Sequence, residues 1–223
     1  MATRATPIRE ARERELIAAT RALFDQRGMQ DAPIEEIAQA VGIARGLIYR
    51  HFASKEELFV LTVTDYLSEL GGVLADAAAS GRGSVAQLER VIEAYASYCQ
   101  RYPAFLDCSL ALMQRPARDL HAILSESVWL RLGQGMARCL STLSDVLRRG
   151  NESGEFAVAD PDYLANVLWT QTLGAMHLAR IGVGVRQAAP DVPELFKVQD
   201  ERIVRTCVAS AIAVIESDAA RLS

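Results

Sequence analysis

The chain has 223 residues, which is enough for one sizeable hydrophobic core or two smaller ones. Half of the residues are hydrophobic and only 6% are aromatic, and no apolar run reaches the length of a signal peptide or a membrane span, so we expect a soluble, cytoplasmic, helical protein. The formal net charge of −4 argues against nonspecific binding of nucleic acid by the whole surface.

The charge is unevenly distributed along the chain. Residues 1–55 contain nine Lys and Arg and seven Asp and Glu, a net +2, whereas residues 56–223 contain fifteen and twenty-one, a net −6. Because an acidic surface is repelled by a phosphate backbone, this asymmetry favours presenting only the N-terminal end to DNA.

The first predicted helix runs from Arg9 to Arg27 and follows an N-terminal arm of residues 1–8. Arg4 in the arm and Arg12 in the helix could reach DNA phosphates or a minor groove. For Arg12 the alternative is a solvated helix face on which arginines alternate with glutamates, and the sequence does not decide between the two.

The stretch from Ile34 to Phe59 has the pattern of two short helices joined by a tight turn. The first helix has an apolar face at three- and four-residue intervals, formed by Ile34, Ile37, Ala38 and Val41. Gly42 can adopt a positive φ, so it ends this helix and turns the chain, and Ile43 holds the turn.

A second helix of eight or nine residues is predicted to begin at Ala44. Its inward face consists of Ala44, Ile48 and Phe52. The positions that then point outward are Arg45, Gly46, Leu47, Tyr49 and Arg50. So short a helix does not persist alone in water and must be held by packing, and the pattern is that of a helix-turn-helix unit with a recognition helix.

The third helix of this region begins at Ser54, which opens a capping box with Glu57, and runs to about Ala79. Lys55 adds a cation at its N-terminus, where the helix amides already favour an anion, so a DNA phosphate is a natural partner. The alternative is an ordinary cap with an exposed lysine.

The remaining pattern is helical, with a break at residues 80–83. Helices are predicted from Ser84, with a capping box to Gln87, as far as Pro103, and then over about Ala104–Gln114, Ser125–Arg149, Asp160–Ile181 and Glu194–Ser217. Gly182 and Gly184 are predicted to break the helix that ends near Ile181, a loop carrying Pro190 and Pro193 precedes the last helix, and no alternating strand pattern is predicted. The fold class is therefore all-α, with nine or ten helices.

The run IAQAVGIARGLIYRHFASKEEL resembles the DNA-binding domain of the TetR family of bacterial transcriptional regulators. The resemblance extends from Arg9 to Phe59 and rests on Gly42, Gly46, Tyr49, Phe52 and Lys55, which lie in the register of the family. The chain departs from the family at Ala44, where a hydroxyl residue is usual, at Leu47, where Thr is usual, and at Ala32-Pro33, where a Thr pair is usual.

The resemblance implies a helix-turn-helix domain over residues 1–53, a connecting helix over 54–79, and a ligand-binding and dimerisation domain over 80–223. Arg45 is the candidate for bidentate contact with guanine, and Leu47 could touch a thymine methyl group. The resemblance implies phosphate contacts from Tyr49 and His51, whereas Arg50 could contact a base, a phosphate or only solvent. The complete set of predicted DNA-binding residues is Arg45, Gly46, Leu47, Tyr49, Arg50, His51, Lys55, Arg4 and Arg12.

Members of the family carry a ligand pocket among the middle helices, where this chain is rich in aromatic residues and methionines. The predicted pocket residues are Tyr95, Tyr98, Cys99, Tyr102, Phe105, Met113, Trp129, Met136, Trp169, Met176 and His177. Such residues suit a flat or long hydrophobic small molecule. Taken one at a time, residues of these types are more often core residues, and His177 could be a pocket hydrogen-bonder or a satisfied core histidine.

The last two long helices of family members form a dimer interface, and a lone helix-turn-helix reads too few bases to bind tightly. The predicted interface residues are Leu164, Leu168, Gly174, Ala175, Leu178, Val204, Val208, Ala211, Ile212 and Ile215. The alternative is that these residues belong to the core of one chain. The expected partners are a double-stranded DNA operator, a hydrophobic effector and a second copy of the chain.

Catalysis and metal binding find little support in the sequence. GxSxG, HExxH and phosphate-binding glycine loops are absent, and His51, His121 and His177 lie far apart. Four cysteines are scattered without a CxxC pair, at positions 99, 108, 139 and 207, and we expect buried free thiols. We predict no enzyme, no metal site and no cofactor. A helical small-molecule carrier that binds no DNA is the alternative function.

Overall fold

The computed structural model describes residues 5–28 and 33–222. Within these ranges the chain forms ten α-helices and one antiparallel β-hairpin, so the predicted all-α class is confirmed apart from the small sheet. The helices are α1 Ala5–Arg27, α2 Ile34–Ala40, α3 Arg45–Ile48, α4 Lys55–Ser80, α5 Ser84–Arg101, α6 Pro103–Met113, α7 Ala117–Ile123, α8 Glu126–Ser153, α9 Pro161–Ile181 and α10 Asp200–Leu222. The strands are β1 Val183–Ala189 and β2 Val192–Lys197.

The helices group into two compact units. The N-terminal unit consists of Met1–Ser68 and Tyr102–Met136, and the C-terminal unit consists of Glu69–Arg101 and Ala137–Ser223. Helices α4 and α8 each begin in the N-terminal unit and end in the C-terminal unit. The helix-turn-helix therefore shares its unit with α6 and α7, which the sequence-based division had assigned to the ligand-binding domain.

A polar network joins α1 to α4 in the N-terminal unit. The Arg21 guanidinium lies 4.2 Å from the centre of the Tyr66 ring and donates to the Asp65 carboxylate at 2.8 Å. The Tyr66 hydroxyl donates to Oδ1 of Asp25 at 2.6 Å. Burial and this hydrogen bond raise the pKa of Tyr66 above its ordinary value, so the phenol remains a neutral donor.

Glu57 links the beginning of α4 to the beginning of α8 within the N-terminal unit. The Ser54 hydroxyl accepts from the Glu57 amide at 3.1 Å, and the Glu57 carboxylate accepts from the amides of Ala53 at 2.9 Å and Ser125 at 2.8 Å. The predicted cap at Ser54 is thus confirmed, although the carboxylate bonds the amide before the cap residue. Burial raises the pKa of Glu57, but the hydrogen bonds from Ser125 and Ala53 outweigh it and lower the pKa.

In the C-terminal unit α5, α9 and α10 pack against one another. The rings of Tyr95 on α5 and Trp169 on α9 stack with their centres 4.1 Å apart. The predicted capping box at the start of α5 is wrong. Instead, the Glu155 carboxylate accepts from the amides of Ser84 at 3.0 Å and Val85 at 3.4 Å, which satisfies the free amides of the helix end.

The β-hairpin replaces the loop and the first turn of helix that the sequence predicted. Strands β1 and β2 pair from Val183↔Lys197 to Ala189↔Val192, and the two-residue turn contains Pro190 and Asp191, which has a φ of 61°. Proline followed by a residue with positive φ is typical of a type II turn.

Two glycines that the sequence presented as helix breakers have separate roles at this hairpin. Gly182 ends α9 with a φ of 75°. Gly184 lies opposite Phe196, where a Cβ atom would fall 2.4 Å from the aromatic ring, so glycine lets this ring lie against the strand. Helix α10 consequently begins at Asp200 and not at Glu194.

Other element boundaries also differ from the sequence prediction. Helix α7 was not predicted, because its seven residues bury only Leu120 and therefore show no periodic apolar face. Helix α1 begins at Ala5, within the predicted N-terminal arm, and α8 extends to Ser153. The described part of α4 is long and apolar enough to cross a membrane, but 56% of its apolar window is buried in the protein, which is typical of a core helix.

We predict that Glu57→Gln lowers the free energy of unfolding at pH 7 by about 1.5–3 kcal/mol, the usual contribution of buried hydrogen bonds to a charged group. Because the pKa of Glu57 is lowered on folding, its contribution is present above the unfolded-state pKa of about 4.3 and is lost as the pH falls through the folded-state pKa.

Urea unfolding monitored by circular dichroism between pH 3 and pH 8 measures both effects. Glu56→Gln, which changes the neighbouring carboxylate, is the matched control and should have little effect. Equal destabilisation by the two variants, or a Glu57→Gln deficit that grows in acid, would contradict the assignment.

Candidate nucleic-acid interface

The turn between α2 and α3 is set by the backbone. Gly42 has a φ of 69°, its amide donates to the Gln39 carbonyl at 3.0 Å, and the Ile43 amide donates to the Ala38 carbonyl at 2.9 Å. These two hydrogen bonds form a Schellman motif, which ends α2 and satisfies its last carbonyl groups. The predicted glycine turn is confirmed.

Helix α3 has four residues, Arg45–Ile48, and is shorter than the eight or nine that the sequence predicted. Beyond Ile48 the chain continues in tighter turns, in which the amides of Arg50 and His51 donate three residues back, at 3.2 and 2.9 Å. In such turns the side chains of residues three apart eclipse one another, unlike those on an α-helix. The segment from Arg45 to His51 is called the reading segment below.

Ile48 and Phe52 anchor the reading segment, and each is only 1% exposed. Ala44, by contrast, was predicted to face inward but is exposed. It is the N-cap residue of α3, and because it has no side-chain oxygen, no side-chain hydrogen bond caps this helix end.

The outward face of the reading segment is as predicted, since Arg45, Gly46, Leu47, Tyr49 and Arg50 are all exposed. A Cβ atom at Gly46 would meet nothing within 4 Å, and the backbone there does not have a positive φ. The chain's own fold therefore does not require glycine at this position. A glycine on an exposed face that the fold does not need leaves room for the close approach of another molecule.

Arg45 already has a partner in the protein. Its Nη1 atom lies 2.6 Å from Oε1 of Glu35 on α2, and both side chains are more than half exposed. Exposed ion pairs contribute only about 0–1 kcal/mol, so the guanidinium can exchange the carboxylate for another acceptor. Sequence reasoning missed Glu35, because the two residues lie on different helices and only the turn at Gly42 brings them together.

The structure distinguishes among the other predicted DNA-binding residues. Lys55 is exposed at the first turn of α4. His51 is half-buried, and its Nδ1 atom is buried with no hydrogen-bond partner among the described residues. Arg12 pairs with Glu15 at 2.7 Å, which favours the solvated-face alternative for this residue. Arg4 lies outside the described residues.

The predicted pocket residues divide between the two units. Tyr102, Phe105, Met113, Trp129 and Met136 belong to the N-terminal unit and the rest to the C-terminal unit. His177 is exposed, which contradicts its interpretation as a core histidine, and Met113 is exposed at the end of α6.

Within the C-terminal unit the side chains of Tyr95, Tyr98, Cys99, Trp169 and Met176 are buried. A cavity of about 10 Å³ lies beside Tyr95 and Trp169, which is enough for a single water molecule. The Tyr95 hydroxyl is buried and has no hydrogen-bond partner among the described residues. An unsatisfied buried hydroxyl costs about 1–3 kcal/mol, so this group favours a state in which something binds it.

The four cysteines are free and buried, as predicted. Burial raises the pKa of Cys99, Cys108 and Cys139 to about 12. Thiols with such pKa values remain protonated near neutral pH and are poor nucleophiles. Among the described residues no group of three or more His, Cys, Asp and Glu side chains could hold a metal ion.

The predicted dimer-interface residues fall into two classes. Leu164, Leu168, Ala211 and Ile215 are buried within the chain, so they are core residues and offer no surface to a partner. Gly174 and Leu178 are exposed, and the remaining residues, Ala175, Val204, Val208 and Ile212, are partly exposed. An apolar surface that the sequence did not predict continues through the hairpin, where Val185 and Leu195 are 69% and 65% exposed.

The reading segment lies in a region that is similar to a known protein family. Residues 16–61 match the model of the family described as bacterial regulatory proteins, tetR family. The transcriptional repressor KstR2 from Rhodococcus jostii is 34% identical over 84 residues, which are 38% of this chain and 41% of that protein. The match thus covers about two fifths of the length of this relative.

Solved structures share the fold over nearly the whole chain. The TetR family regulator PfmR from Thermus thermophilus is 21% identical, with a TM-score of 0.58 over 90% of this chain and 97% of that one. RolR in complex with the ligand resorcinol is 17% identical, with a TM-score of 0.64 over 92% and 89% of the two chains. The helix-turn-helix of this chain thus matches the tetR family model, and the chain as a whole has the fold of these solved structures.

Proposed function

We propose that this protein is a dimeric, ligand-responsive transcriptional regulator that represses genes by binding a palindromic operator. The observation that carries the proposal is the exposed, cationic reading segment, which Ile48 and Phe52 anchor in a domain that matches the TetR family. The relative KstR2 is named as a repressor, and RolR was solved with a small-molecule ligand, which supports both parts of the proposal.

The reading segment enters the major groove in this proposal. Arg45 leaves Glu35 and donates two hydrogen bonds to a guanine, Leu47 touches a thymine methyl group, and Gly46 allows the backbone to approach the DNA closely. Tyr49, His51 and Lys55 donate to phosphates, and Arg50 contacts a phosphate or a base.

Two copies of the chain are needed to bind tightly, because one reading segment contacts few bases. We infer that the copies associate through the exposed end of α9 and through the hairpin. The exposed apolar side chains there include Leu178, Ile181, Val185 and Leu195. An isolated two-stranded hairpin is only marginally stable in water, so a covering partner would stabilise it.

The effector is a hydrophobic small molecule with a hydrogen-bonding group, bound among the aromatic residues of the C-terminal unit. The unsatisfied Tyr95 hydroxyl would bond to it, and the Tyr95 and Trp169 rings would separate to admit it. Helix α4 continues from the N-terminal unit into the C-terminal unit, so it can couple the two sites. The effector shifts the equilibrium only by the difference between its affinities for the two states.

A helical carrier that binds no DNA is the weaker alternative, because it does not explain why residues 16–61 match a family of DNA-binding regulators. KstR2 is named as a transcriptional repressor, and we infer that this chain likewise is a regulator without catalytic activity that acts in the cytoplasm.

We expect Arg45→Ala to weaken operator binding by about 1–3 kcal/mol and to relax the preference at one base pair of each half-site. Glu35→Gln should have the opposite effect, a gain of up to about 1 kcal/mol, because it releases Arg45 from an exposed ion pair. Fluorescence anisotropy with operator variants at fixed salt measures both changes. Unchanged affinity and preference in Arg45→Ala would mean that α3 does not face the bases.

Gly46→Ala separates folding from binding. Because nothing surrounds the added methyl group in the free protein, the free energy of unfolding should stay the same or rise by up to about 1 kcal/mol. DNA binding should weaken by about 1–3 kcal/mol, the usual cost of a methyl group inserted into a close contact. Thermal unfolding and anisotropy on one protein sample provide the test. Full operator affinity in the variant would exclude a close approach of DNA at this residue.

Leu195→Asp should disrupt the dimer and raise its dissociation constant at least about tenfold, because a charge would be buried against an apolar partner surface. Leu130→Asp is the matched control, since Leu130 is 57% exposed on α8 but belongs to the N-terminal unit. Sedimentation equilibrium measures the constant for both variants. A dimer that tolerates Leu195→Asp as well as Leu130→Asp would remove the hairpin from the interface.

A further inference from the structure

A cavity of about 300 Å³ lies within the N-terminal unit, apart from the aromatic cluster of the C-terminal unit. Helices α1, α2, α4, α6 and α7 all contribute to its walls. Its apolar surface includes Phe24, Ile37, Leu58, Leu112 and Leu120, of which all but Leu112 are buried. A cavity of this size and apolar lining lies at the lower end of the range for small-molecule sites.

The polar part of the cavity carries a net positive charge. Three charged residues line it, namely Lys55 and Glu56 from α4 and Arg115 from the segment after α6. Neither Lys55 nor Arg115 has an ion-pair partner among the described residues. By contrast, Arg21 and Arg131 of the same unit are paired with carboxylates at 2.8 and 2.5 Å.

We propose that this cavity binds a compact hydrocarbon molecule with one carboxylate. The carboxylate lies between Arg115 and Lys55, where a guanidinium can bind both carboxylate oxygens, and the hydrocarbon part covers Phe24, Leu58 and Leu112. A neutral molecule would leave the two cations unpaired. The carboxylate of Glu56 disfavours a second negative charge on the ligand.

The site has a regulatory consequence through Lys55, and this step rests on the proposed function. Lys55 is a predicted phosphate contact and also lines the cavity. The carboxylate of the ligand and a DNA phosphate compete for the single ammonium group of Lys55, so the bound ligand lowers the affinity for DNA. Since α1 and α2 form part of the same cavity wall, the ligand acts directly on the N-terminal unit, which carries the reading segment.

A set of eight-carbon probes tests the site without DNA. Isothermal titration calorimetry on the full chain should show one site for octanoate, and affinities for octan-1-ol and octylamine that are weaker by about tenfold or more. Arg115→Gln should weaken octanoate binding by a similar factor. Arg118→Gln, on an exposed arginine outside the cavity, should leave octanoate binding unchanged.

Ala111→Phe is the second variant, because it fills the cavity and should remove binding of all three probes, with thermal unfolding as the check that it folds. If Ala111→Phe fails to fold, the comparison of Arg115→Gln with Arg118→Gln still tests the proposal. Equal affinity for octanoate and octan-1-ol, octanoate binding that is indifferent to Arg115→Gln, or no octanoate binding would each overturn the proposal.

Anisotropy with operator DNA then tests the competition. Octanoate should lower the affinity of the natural protein for DNA and have a smaller effect on Arg115→Gln. Octanoate that binds without changing DNA affinity would overturn the competition at Lys55 and leave the site itself intact. A protein that binds octanoate but no operator would overturn the proposed function and leave the cavity assignment standing.

Discussion

The burial of Ile48 and Phe52 is the constraint on which the reading segment depends. A four-residue helix has no stability of its own in water, because the cost of nucleation is not repaid over so few hydrogen bonds. The Schellman turn at Gly42 orients the segment, and the two buried side chains hold it against α2 and its neighbours. Once these residues are buried, the spacing of the chain leaves Arg45, Tyr49 and Arg50 exposed. The exposure of these three side chains is therefore a consequence of the packing of Ile48 and Phe52.

The charges around the reading segment are held by weak interactions that can be exchanged. Arg45 is paired with an exposed carboxylate, and Lys55 is exposed at the first turn of α4 beside an apolar cavity. The interactions beneath them are of another kind. Glu57 is buried and bonds to the amides of Ala53 and Ser125, so the beginnings of α4 and α8 are joined by hydrogen bonds to a charged group. The weak, exposed contacts of Arg45 and Lys55 therefore lie beside a region that the hydrogen bonds of Glu57 stabilise.

The helix-turn-helix could be predicted from the sequence because its determinants are local: the glycine turn, the inward spacing of Ile48 and Phe52, and the cap at Ser54. The length of α3 could not be predicted, because the spacing of apolar residues does not reveal the change from α-helical to tighter turns after Ile48. The hairpin was missed because Gly184 looked like a breaker, and only the pairing with Phe196 explains it. The alternation of Val183 and Val185, followed by Pro190-Asp191, was the available signal. Contacts such as Glu35 with Arg45, or Glu155 with the start of α5, join distant residues and had no local signal.

Selection of genomic fragments on the purified protein, followed by sequencing, tests the central claim most directly. If paired reading segments enter successive major grooves, the bound fragments share a palindromic consensus whose half-site centres lie about 10 base pairs or a multiple of that spacing apart. Diffuse recovery of fragments without a consensus, with binding that disappears as salt is raised, would contradict sequence-specific reading by this segment.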